Sequence, residues 1–279
     1  MDILELQKRF STQRKCEVFL RRKRWPKGVT CPKCGAKHPY RIKERKIWQC
    51  SACRYQFSVT TGTIFHRSRT PLKKWFIAIW LMCSNKKGIS AKQLERTLGV
   101  TYKTAWRMSQ QIRKAMRHTV FENKLGGIVE ADDAYIGGKK SGGKRGRGAP
   151  GKEIVVGFKE RGGNVVAQVV QNLKADTLTP LLDTFVSVNA ELLVTDEFKS
   201  YAKAAGDRKH KTVCHSETFV NGNVHTMGME NFWSLFKRAI IGVYHRVSAK
   251  YLQAYLNEFV FRFNNRYNED IFELVLANC

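Results

Sequence analysis

Two closely spaced cysteine pairs limit what the first part of this chain can fold into. Two residues separate Cys31 from Cys34 and Cys50 from Cys53, and fifteen residues separate the pairs. Each short spacer lets a tight turn present two thiolates to one ion, and two such turns complete a tetrahedral sulfur site. A redox role is the weaker alternative, because no strand-and-helix context surrounds either pair. The spacing therefore predicts a zinc ribbon over residues 27–62, with these four cysteines as the Zn²⁺ ligands.

Positive charge is concentrated in the same part of the chain. The 279 residues contain 50 Lys and Arg against 23 Asp and Glu, a formal net charge of +27. Residues 1–125 contain 30 of these basic residues and only 6 of the acidic ones, which leaves a surplus of +3 for the remainder. Each Lys or Arg that pairs with a phosphate releases condensed counterions, so a dense surplus suits a phosphate-binding surface. We expect the first part to bind nucleic acid and the carboxylates of the second part to support metal-dependent chemistry.

The sequence also restricts where the protein is expected to act. Its first residues have no signal-peptide character, and the longest uncharged apolar run, residues 75–83, is far shorter than a membrane span. Four of the eight cysteines are paired and the others are scattered, which fits a reducing compartment better than a disulfide framework. We expect a soluble, non-secreted, cytoplasmic protein with no membrane partner.

Apolar residues recur at helical spacing in three stretches between Pro71 and His118. Ser90 and Thr101 stand where helix N-caps are expected, and the link 99–101 has the length and the glycine of a helix-turn-helix corner. The third stretch is basic and contains Lys103, Arg107, Arg113, Lys114 and Arg117. We predict a small all-α helix-turn-helix DNA-binding unit over residues 70–120, after a helical lead-in over residues 1–26. The alternative is an ordinary helical linker with a solvated basic face.

From Gly126 the pattern changes to glycine-bounded strands. Three strand-like runs, 128–136, 153–159 and 164–170, precede alternating helical and strand-like segments and two longer helices. This order predicts an α/β domain with a mixed sheet over residues 126–270. The glycine-rich basic insert at 137–151 is either a mobile loop that contacts a phosphate backbone or a solvated linker.

Two aspartates occupy strand positions that suit a metal ion. Asp132 shares a strand face with Glu130, whereas Asp133 is expected on the opposite face. A charged residue inside an apolar strand is costly unless it is paired or holds a metal. Asp196 lies at the carboxyl end of a buried strand, where open α/β sheets bind their ligands. Asp132 and Asp196 on adjacent strands could therefore share divalent ions.

A third group is expected from a helix that begins near Gly228. Glu230, Trp233 and Lys237 lie on one helical face, so Glu230 could complete the metal site, Lys237 could hold a phosphate and Trp233 could pack beneath the substrate. Periodicity leaves open a second arrangement. In that one, Trp233 and Phe236 lie in the core while Glu230 and Lys237 are only solvated.

Taken in this order, the motifs of the chain resemble those of bacterial insertion-sequence transposases of the DDE type. The resemblance is to the group with an N-terminal zinc ribbon, the ISXO-type transposase family. The resemblance spans nearly the whole chain. Its motifs are the ribbon from Cys31 to Cys53, EADDAYIGG at 130–138, TDE at 195–197, HT at 225–226, ENFWSLFKR at 230–238, and the segments 242–248 and 258–264. It implies a C-terminal ribonuclease-H-like (DDE) core with a mixed five-stranded sheet, in which Asp132 and Asp196 are the first two metal-binding carboxylates.

The third catalytic position has two candidates under this resemblance. The general DDE pattern has a Glu seven residues before a Lys, which fits Glu230 and Lys237. Some similar branches have an Asn at this position, which makes Asn231 the competitor, although Asn is a neutral and weaker magnesium ligand than a carboxylate. The resemblance thus implies that Asp132, Asp196 and Glu230 or Asn231 hold catalytic Mg²⁺ or Mn²⁺, and that Lys237 holds a phosphate.

The implied activity is that of an insertion-sequence DNA transposase. Such an enzyme binds terminal inverted repeats, cleaves there and transfers the strand to target DNA, so its partners are double-stranded DNA and further copies of itself, as a homodimer or a larger synaptic complex. The implied location is the bacterial cytoplasm, in association with the nucleoid. One alternative is a catalytically inactive DNA-binding regulator whose ribonuclease-H-like domain only dimerises. Another is a plain ribonuclease-H-type nuclease without strand transfer.

Overall fold

The computed structural model describes residues 1–117, 124–137, 151–213 and 224–279. The chain forms two compact units. The first consists of Met1–His118 together with Tyr267–Cys279, and the second of Thr119–Arg266. In the part of the chain described, no helix is both long and apolar enough to cross a membrane.

The first unit contains a small antiparallel sheet built around the cysteine turns. Its strands are β1 (Tyr40–Ile42), β2 (Ile47–Gln49) and β3 (Gln56–Phe57), in that order across the sheet. Trp48 and Phe57 stack with their ring centroids 6.0 Å apart, and both rings meet Trp25. Strands this short bury little apolar surface, and a metal bound by the four cysteines would add stability to such a ribbon.

The helices of the first unit share an aromatic core. They are α1 (Ile3–Arg9), α2 (Gln13–Arg24), α3 (Leu72–Ser84), α4 (Ala91–Leu98), α5 (Tyr102–Arg117) and, after the second unit, α10 (Ile271–Ala277). The rings of Phe10, Phe76 and Phe272 pack against one another with centroids 4.9 to 5.8 Å apart. Arg9 and Lys23 also form ion pairs with Glu273, at 2.8 and 2.6 Å. Segments on either side of the second unit therefore complete one core.

Helices α3, α4 and α5 pack on one another as a three-helix unit. Ser90 Oγ accepts the N–H of Gln93 at 3.1 Å and caps α4. Gly99 ends that helix with a φ of 57°, in the left-handed region that favours glycine. Thr101 Oγ1 accepts the N–H of Thr104 at 3.3 Å at the start of α5. Both predicted N-caps and the glycine corner are confirmed.

The basic face of α5 is narrower than the sequence indicated. Arg113 is only 2% exposed and donates from Nη1 to Ser109 Oγ at 3.2 Å. The exposed cations of α5 are Lys103, Arg107, Lys114 and Arg117. These four lie along one side of the helix, as spacings of four, seven and three residues require.

The second unit is built on a five-stranded mixed sheet. Its strands are β4 (Ile128–Ile136), β5 (Glu153–Glu160), β6 (Val165–Val170), β7 (Leu192–Asp196) and β8 (His210–Val213), in the order β6-β5-β4-β7-β8. Strands β4 to β6 form an antiparallel meander, whereas β7 runs parallel to both β4 and β8. Parallel neighbours need crossover connections. Helices α6 (Ala175–Phe185) and α7 (Lys199–Ala204) supply them.

Helices cover both faces of this sheet. On one face, Val129 and Ala131 of β4 belong to the core formed with α6 and α7. On the other, Ala134 and Ile136 pack with helices α8 (Met227–Ala239) and α9 (Ala249–Asn264). A π-helical turn, Ile240–Tyr244, extends α8. By strand alternation, Asp132 therefore lies on the side of α8.

The predicted fold class is confirmed. The chain has a four-cysteine ribbon, a small all-α unit and an α/β domain with a mixed five-stranded sheet. The sequence-based prediction did not include two elements, β8 and α10. Strand β8 buries only Val213 among its four residues and so lacks an alternating apolar pattern, and α10 is a short helix whose partners belong to distant segments.

Candidate functional site

The four cysteines of the ribbon converge on one point. Their Sγ atoms all lie within 4.8 Å of one another, with Cys31 and Cys53 at 3.7 Å and Cys34 and Cys50 at 3.5 Å. A tetrahedral zinc with bonds of about 2.3 Å to sulfur has edges of about 3.8 Å between the sulfur atoms. The sulfur cluster therefore fits a structural Zn²⁺ ion, as the spacing of the two pairs predicted.

Two similar turns hold these cysteines. Gly35 N–H donates to the carbonyl of Cys31 at 2.9 Å, and Arg54 N–H donates to the carbonyl of Cys50 at 3.1 Å. Gly35 and Arg54 both have positive φ, 75° and 59°. The N–H of Cys53 points at Cys50 Sγ at 3.5 Å and lowers the pKa of Cys50 to about 7. This favours the thiolate, which is the form that binds zinc.

Asp132 and Asp196 lie on neighbouring parallel strands. The register pairs Glu130 with Val194, so two residues further along each strand the two aspartates share one face. Oxygen atoms of Asp132, Asp133 and Asp196 lie within 4.8 Å of one another. Asp196 Oδ1 also accepts the N–H of Phe198 at 3.1 Å, just past the end of β7. The structure thus brings together the two aspartates that the sequence singled out.

Asp133 belongs to this carboxylate cluster, although strand alternation predicted it on the opposite face. Asp132 Oδ1 accepts the N–H of Asp133 at 2.8 Å, so the side chain of Asp132 turns back toward its neighbour. Burial, together with the carboxylates of Asp133, Asp196 and Glu230, raises the pKa of Asp132 to about 7. Clustered carboxylate oxygens are the ligands that Mg²⁺ and Mn²⁺ prefer, and a bound cation would relieve their mutual repulsion.

Glu130 anchors helix α8 to strand β4. Its side chain is 1% exposed, and its Oε1 accepts from Arg161 Nε at 2.9 Å while its Oε2 accepts the N–H of Met229 at 3.0 Å. Arg161 Nη2 donates in turn to the carbonyl of His225 at 3.0 Å. The first turn of α8 is therefore tied to the strand that carries Asp132. Sequence reasoning missed this role, because the partner of Glu130 lies beyond the end of β5.

Two glycines let α8 approach the sheet. Gly157 of β5 is paired with Asp132 of β4. A Cβ at Gly157 would collide with Met229 Cε and come within 2.8 Å of the Trp233 ring. A Cβ at Gly228 would come within 2.6 Å of the anchoring carboxylate. A side chain at either position would push α8 away from the carboxylate cluster.

The two candidates for the third position lie next to each other on α8. Glu230 is exposed and accepts from the hydroxyl of Thr226 at 3.1 Å. Its charge contributes to the raised pKa of Asp132, so it lies within electrostatic reach of the cluster. Asn231 is also exposed, one position further along the helix. Glu230 thus interacts with the cluster through its charge, whereas the oxygens that lie within 4.8 Å of one another belong to Asp132, Asp133 and Asp196.

Trp233 and Lys237 lie in different environments. Trp233 is 3% exposed and packs edge to face against Phe232 at 5.1 Å, so its indole belongs to the core and not to a substrate surface. Lys237, seven residues after Glu230, is exposed on α8. Of the two arrangements open from periodicity, the structure has Trp233 and Phe236 in the core. The basic insert 137–151 was interpreted as a mobile loop that contacts a phosphate backbone or as a solvated linker, and its residues 138–150 lie outside those described.

Family models match both parts of the chain. Residues 124–264 match a model described as the ISXO2-like transposase domain, and residues 11–56 match the transposase zinc-ribbon domain. The first match includes the whole five-stranded sheet with α8 and α9. The second includes α2, all four cysteines, strands β1 and β2 and the first residue of β3.

A relative and several solved structures are similar to the chain. An uncharacterized protein in the transposable element ISH50 of Halobacterium salinarum is 28% identical over 275 residues, covering 91% of this chain and 92% of that protein. The Mos1 transposase paired-end complex with the left transposon end is 12% identical with a TM-score of 0.29, covering 73% of this chain and 78% of that one. A pre-cleavage Mos1 transpososome is 12% identical with a TM-score of 0.30, covering 72% and 76%. Scores this low do not establish structural equivalence.

Proposed function

The chain belongs to the ISXO2-like transposase family, and from this premise we propose that it moves an insertion sequence by cutting DNA at terminal inverted repeats and joining the freed ends to target DNA. The observation that carries the proposal is the carboxylate cluster of Asp132, Asp133 and Asp196 on β4 and β7, with Glu230 within electrostatic reach. Such a cluster in a DNA-processing family suits metal-dependent phosphoryl transfer.

The residues of the cluster have distinct roles in this proposal. Asp132 and Asp196 hold Mg²⁺ or Mn²⁺, and Glu230 completes the ligand set, with Asn231 as the competing third residue. Bound divalent ions would activate the attacking hydroxyl and stabilise the leaving oxygen. Until they bind, the carboxylates repel the phosphates of DNA. Lys237 contributes a positive charge that holds a phosphate beside the site.

The first unit supplies DNA binding in the same proposal. The ribbon over residues 27–62 and the helix-turn-helix over residues 70–120 recognise the inverted repeats and position them for the domain over residues 126–270. Two element ends must be joined to one target, so we propose that the protein acts as a homodimer or a larger synaptic complex. The exposed cations of α5 support this division of labour, because basic helix faces pair with phosphates.

A plasmid assay tests the activity. Supercoiled DNA carrying the element's inverted repeats is incubated with protein and Mg²⁺, and site-specific nicks and strand-transfer products are mapped. We expect both products from the starting protein and neither from Asp132→Ala or Asp196→Ala. Tight, specific binding without cleavage would instead identify a catalytically inactive regulator. Nicking without strand transfer would identify a plain nuclease of the ribonuclease-H type.

A further inference from the structure

The first unit contains a deep cleft between α2 and the hairpin formed by β1 and β2, which we call the α2–hairpin cleft. It encloses about 950 Å³. Residues of α2 form one wall, residues 41–48 of the hairpin contribute the other, and the segment from Ser58 to Leu72 lines the floor. All of these residues belong to the same compact unit.

Both walls of the cleft are basic. The cations that line it are Arg14 and Arg21 from α2, and Arg41, Lys43, Arg45 and Lys46 from the hairpin. Glu17 is the one carboxylate among the lining residues, and its Oε1 accepts from Gln13 Nε2 at 2.9 Å. Six positive charges therefore face one another across the cleft against a single negative charge. Such a concentration attracts a polyanion.

These cations are not neutralised by the protein's own carboxylates. Among the residues that the structure describes, none of the six forms an ion pair. Other cations of the same unit do, since Lys23 pairs with Glu273 and Lys92 with Glu95, each at 2.6 Å. Glu273 and Glu95 are thus engaged with other cations, and the charge of the cleft remains available to a ligand.

The walls are held in place without a ligand. Gln13 Oε1 accepts the N–H of Leu72 at 2.8 Å, and Arg24 Nη1 donates to the carbonyl of Val59 at 2.9 Å, so both ends of α2 are tied to the floor. Trp25, directly after α2, packs against Trp48 of the hairpin with ring centroids 5.7 Å apart. A preformed cleft loses less conformational entropy when a ligand binds.

The spacing of the charges fits a nucleic-acid backbone. Arg14 and Arg21 are two helical turns apart, about 10 Å along α2. That length spans about three phosphates of one DNA strand, which rises about 3.4 Å per nucleotide. On the facing wall, the Arg41 guanidinium lies over the Trp48 ring at 5.3 Å from its centroid. Cations thus approach a phosphate chain from two sides.

Apart from its cations, the cleft has few side chains that could read bases. Among its lining residues the single carboxamide is Gln13. Its oxygen is engaged with Leu72 and its nitrogen with Glu17. Contacts from Arg and Lys to phosphates orient DNA but carry no sequence information. The chemistry of the cleft therefore favours binding that is independent of sequence.

We propose that the α2–hairpin cleft binds the sugar–phosphate backbone of double-stranded DNA without reading its sequence. This deepens the proposed function and rests on it, because it limits the cleft to holding the DNA backbone, inside or beside an inverted repeat, and leaves the reading of the repeat's bases to a different surface. The exposed side of α5 is the basic helix face that remains for that second task.

The test measures binding in the absence of Mg²⁺, so that it does not depend on cleavage. Zinc-loaded full-length protein is titrated with a labelled random-sequence duplex at several salt concentrations, by fluorescence anisotropy. One variant combines Arg14→Gln with Arg21→Gln, and a second combines Arg41→Gln with Lys46→Gln. The matched control is a pair of exposed cations of the second unit, Lys203→Gln with Lys209→Gln, which removes the same charge.

We expect each cleft variant to bind the random duplex about tenfold more weakly. The slope of log affinity against log salt concentration should become shallower by about 0.9 for each lost phosphate contact, or about 2 in total. The control should change neither quantity. Unaltered zinc content and thermal midpoint would show that each variant is folded. The proposal is overturned if the salt slope is unchanged, if only inverted-repeat DNA loses affinity, or if polyglutamate at equal charge competes as well as DNA. If the starting protein binds the random duplex as expected but does not cleave DNA in the plasmid assay, that result would count against the proposed function and not against the cleft.

Discussion

The guanidinium of Arg161, which is 21% exposed, and the buried carboxylate of Glu130 form an ion pair at 2.9 Å, two residues from Asp132. Glu130 also accepts the N–H of Met229 in the first turn of α8. The Glu130 side chain therefore links three elements: strand β4, which carries Asp132, residue Arg161 just after β5, and helix α8, which carries Glu230. Glu130 therefore holds β4 and the start of α8 together.

Removing the buried partner of this pair should destabilise the protein. Glu130→Ala leaves the Arg161 cation and the buried Met229 N–H without their acceptor, and a buried donor left unsatisfied costs about 1–3 kcal/mol. Glu130→Gln should cost less, because its amide oxygen can still accept one of these bonds. Urea unfolding measures the difference. The control Lys92→Ala removes an ion pair whose lysine is 61% exposed and should cost below about 1 kcal/mol; equal costs at both sites would refute the anchoring role.

Gly157→Ala should impair the catalytic unit without unfolding it. The added methyl group would collide with Met229 and Trp233 and shift α8 away from the sheet, at a cost of about 1–3 kcal/mol. We expect plasmid nicking to fall at least about tenfold, because a displacement of about 1 Å in positioning can cost up to about a hundredfold. Gly242→Ala is the matched control, since its Cβ would meet nothing within 4 Å. Normal nicking by the Gly157 variant would mean that α8 tolerates this shift.

Stability without divalent metal should depend on the ionisation of Asp132. Its pKa is raised from 3.8 to about 7, so the folded protein holds a proton that the unfolded chain releases. The stabilisation is full below about pH 4 and is lost as the pH rises through 7. Thermal midpoints of zinc-loaded, magnesium-free protein should therefore fall from pH 5 to pH 8 more steeply than those of Asp132→Asn. Added Mg²⁺ should stabilise the starting protein more at pH 8 than at pH 5; parallel pH profiles for the two proteins would contradict the assignment.

The third catalytic position can be resolved by two separate substitutions. Glu230→Gln removes the charge that acts on Asp132 and should reduce Mg²⁺-dependent nicking by at least about a hundredfold, because a lost ligand weakens the stabilisation of transition-state charge by several kcal/mol. Asn231→Ala should reduce it less than about tenfold. Asp133→Asn, tested in parallel, shows whether Asp133, the neighbour of Asp132 in the cluster, also contributes to nicking. The reverse order for Glu230 and Asn231 would assign the position to the asparagine.

Zinc should be required for the ribbon but not for the second unit. We expect about one zinc per chain, with Cys34→Ser or Cys50→Ser reducing the content to near zero and lowering the thermal midpoint, because structural zinc contributes directly to folding. Elemental analysis and differential scanning fluorimetry provide the two measurements. Cys83→Ser, a half-buried cysteine outside the sulfur cluster, should keep its zinc. Full zinc content in both cluster variants would exclude the four-sulfur site.

Local spacing was sufficient to predict much of this protein. The cysteine pairs, the helix caps at Ser90 and Thr101, and the strand that carries Asp132 depend on residues close in sequence, and each is confirmed. The pairing of Asp132 with Asp196 followed from a general property of adjacent strands, and the register of β4 and β7 bears it out.

The features that were missed depend on contacts between distant segments. Burial of Arg113 and Trp233 depends on which helix face meets the core, and their own helices do not specify that. The place of Asp133 in the cluster depends on how the Asp132 side chain turns back to its neighbour's N–H. Strand alternation describes the backbone, whereas this hydrogen bond is a local choice of side-chain conformation that periodicity does not contain.

Helix α10 belongs to the first unit although it follows the second unit in sequence, and this affects the order in which the two units are completed during synthesis. The ribosome makes Phe10 and Phe76 before the whole second unit, and Phe272 after it, yet the three rings pack in one core. The second unit is contiguous, so all of its strands are made before α10. The core of the first unit gains its third ring only with residues 271–277, so the strands of the carboxylate cluster are complete before that core is.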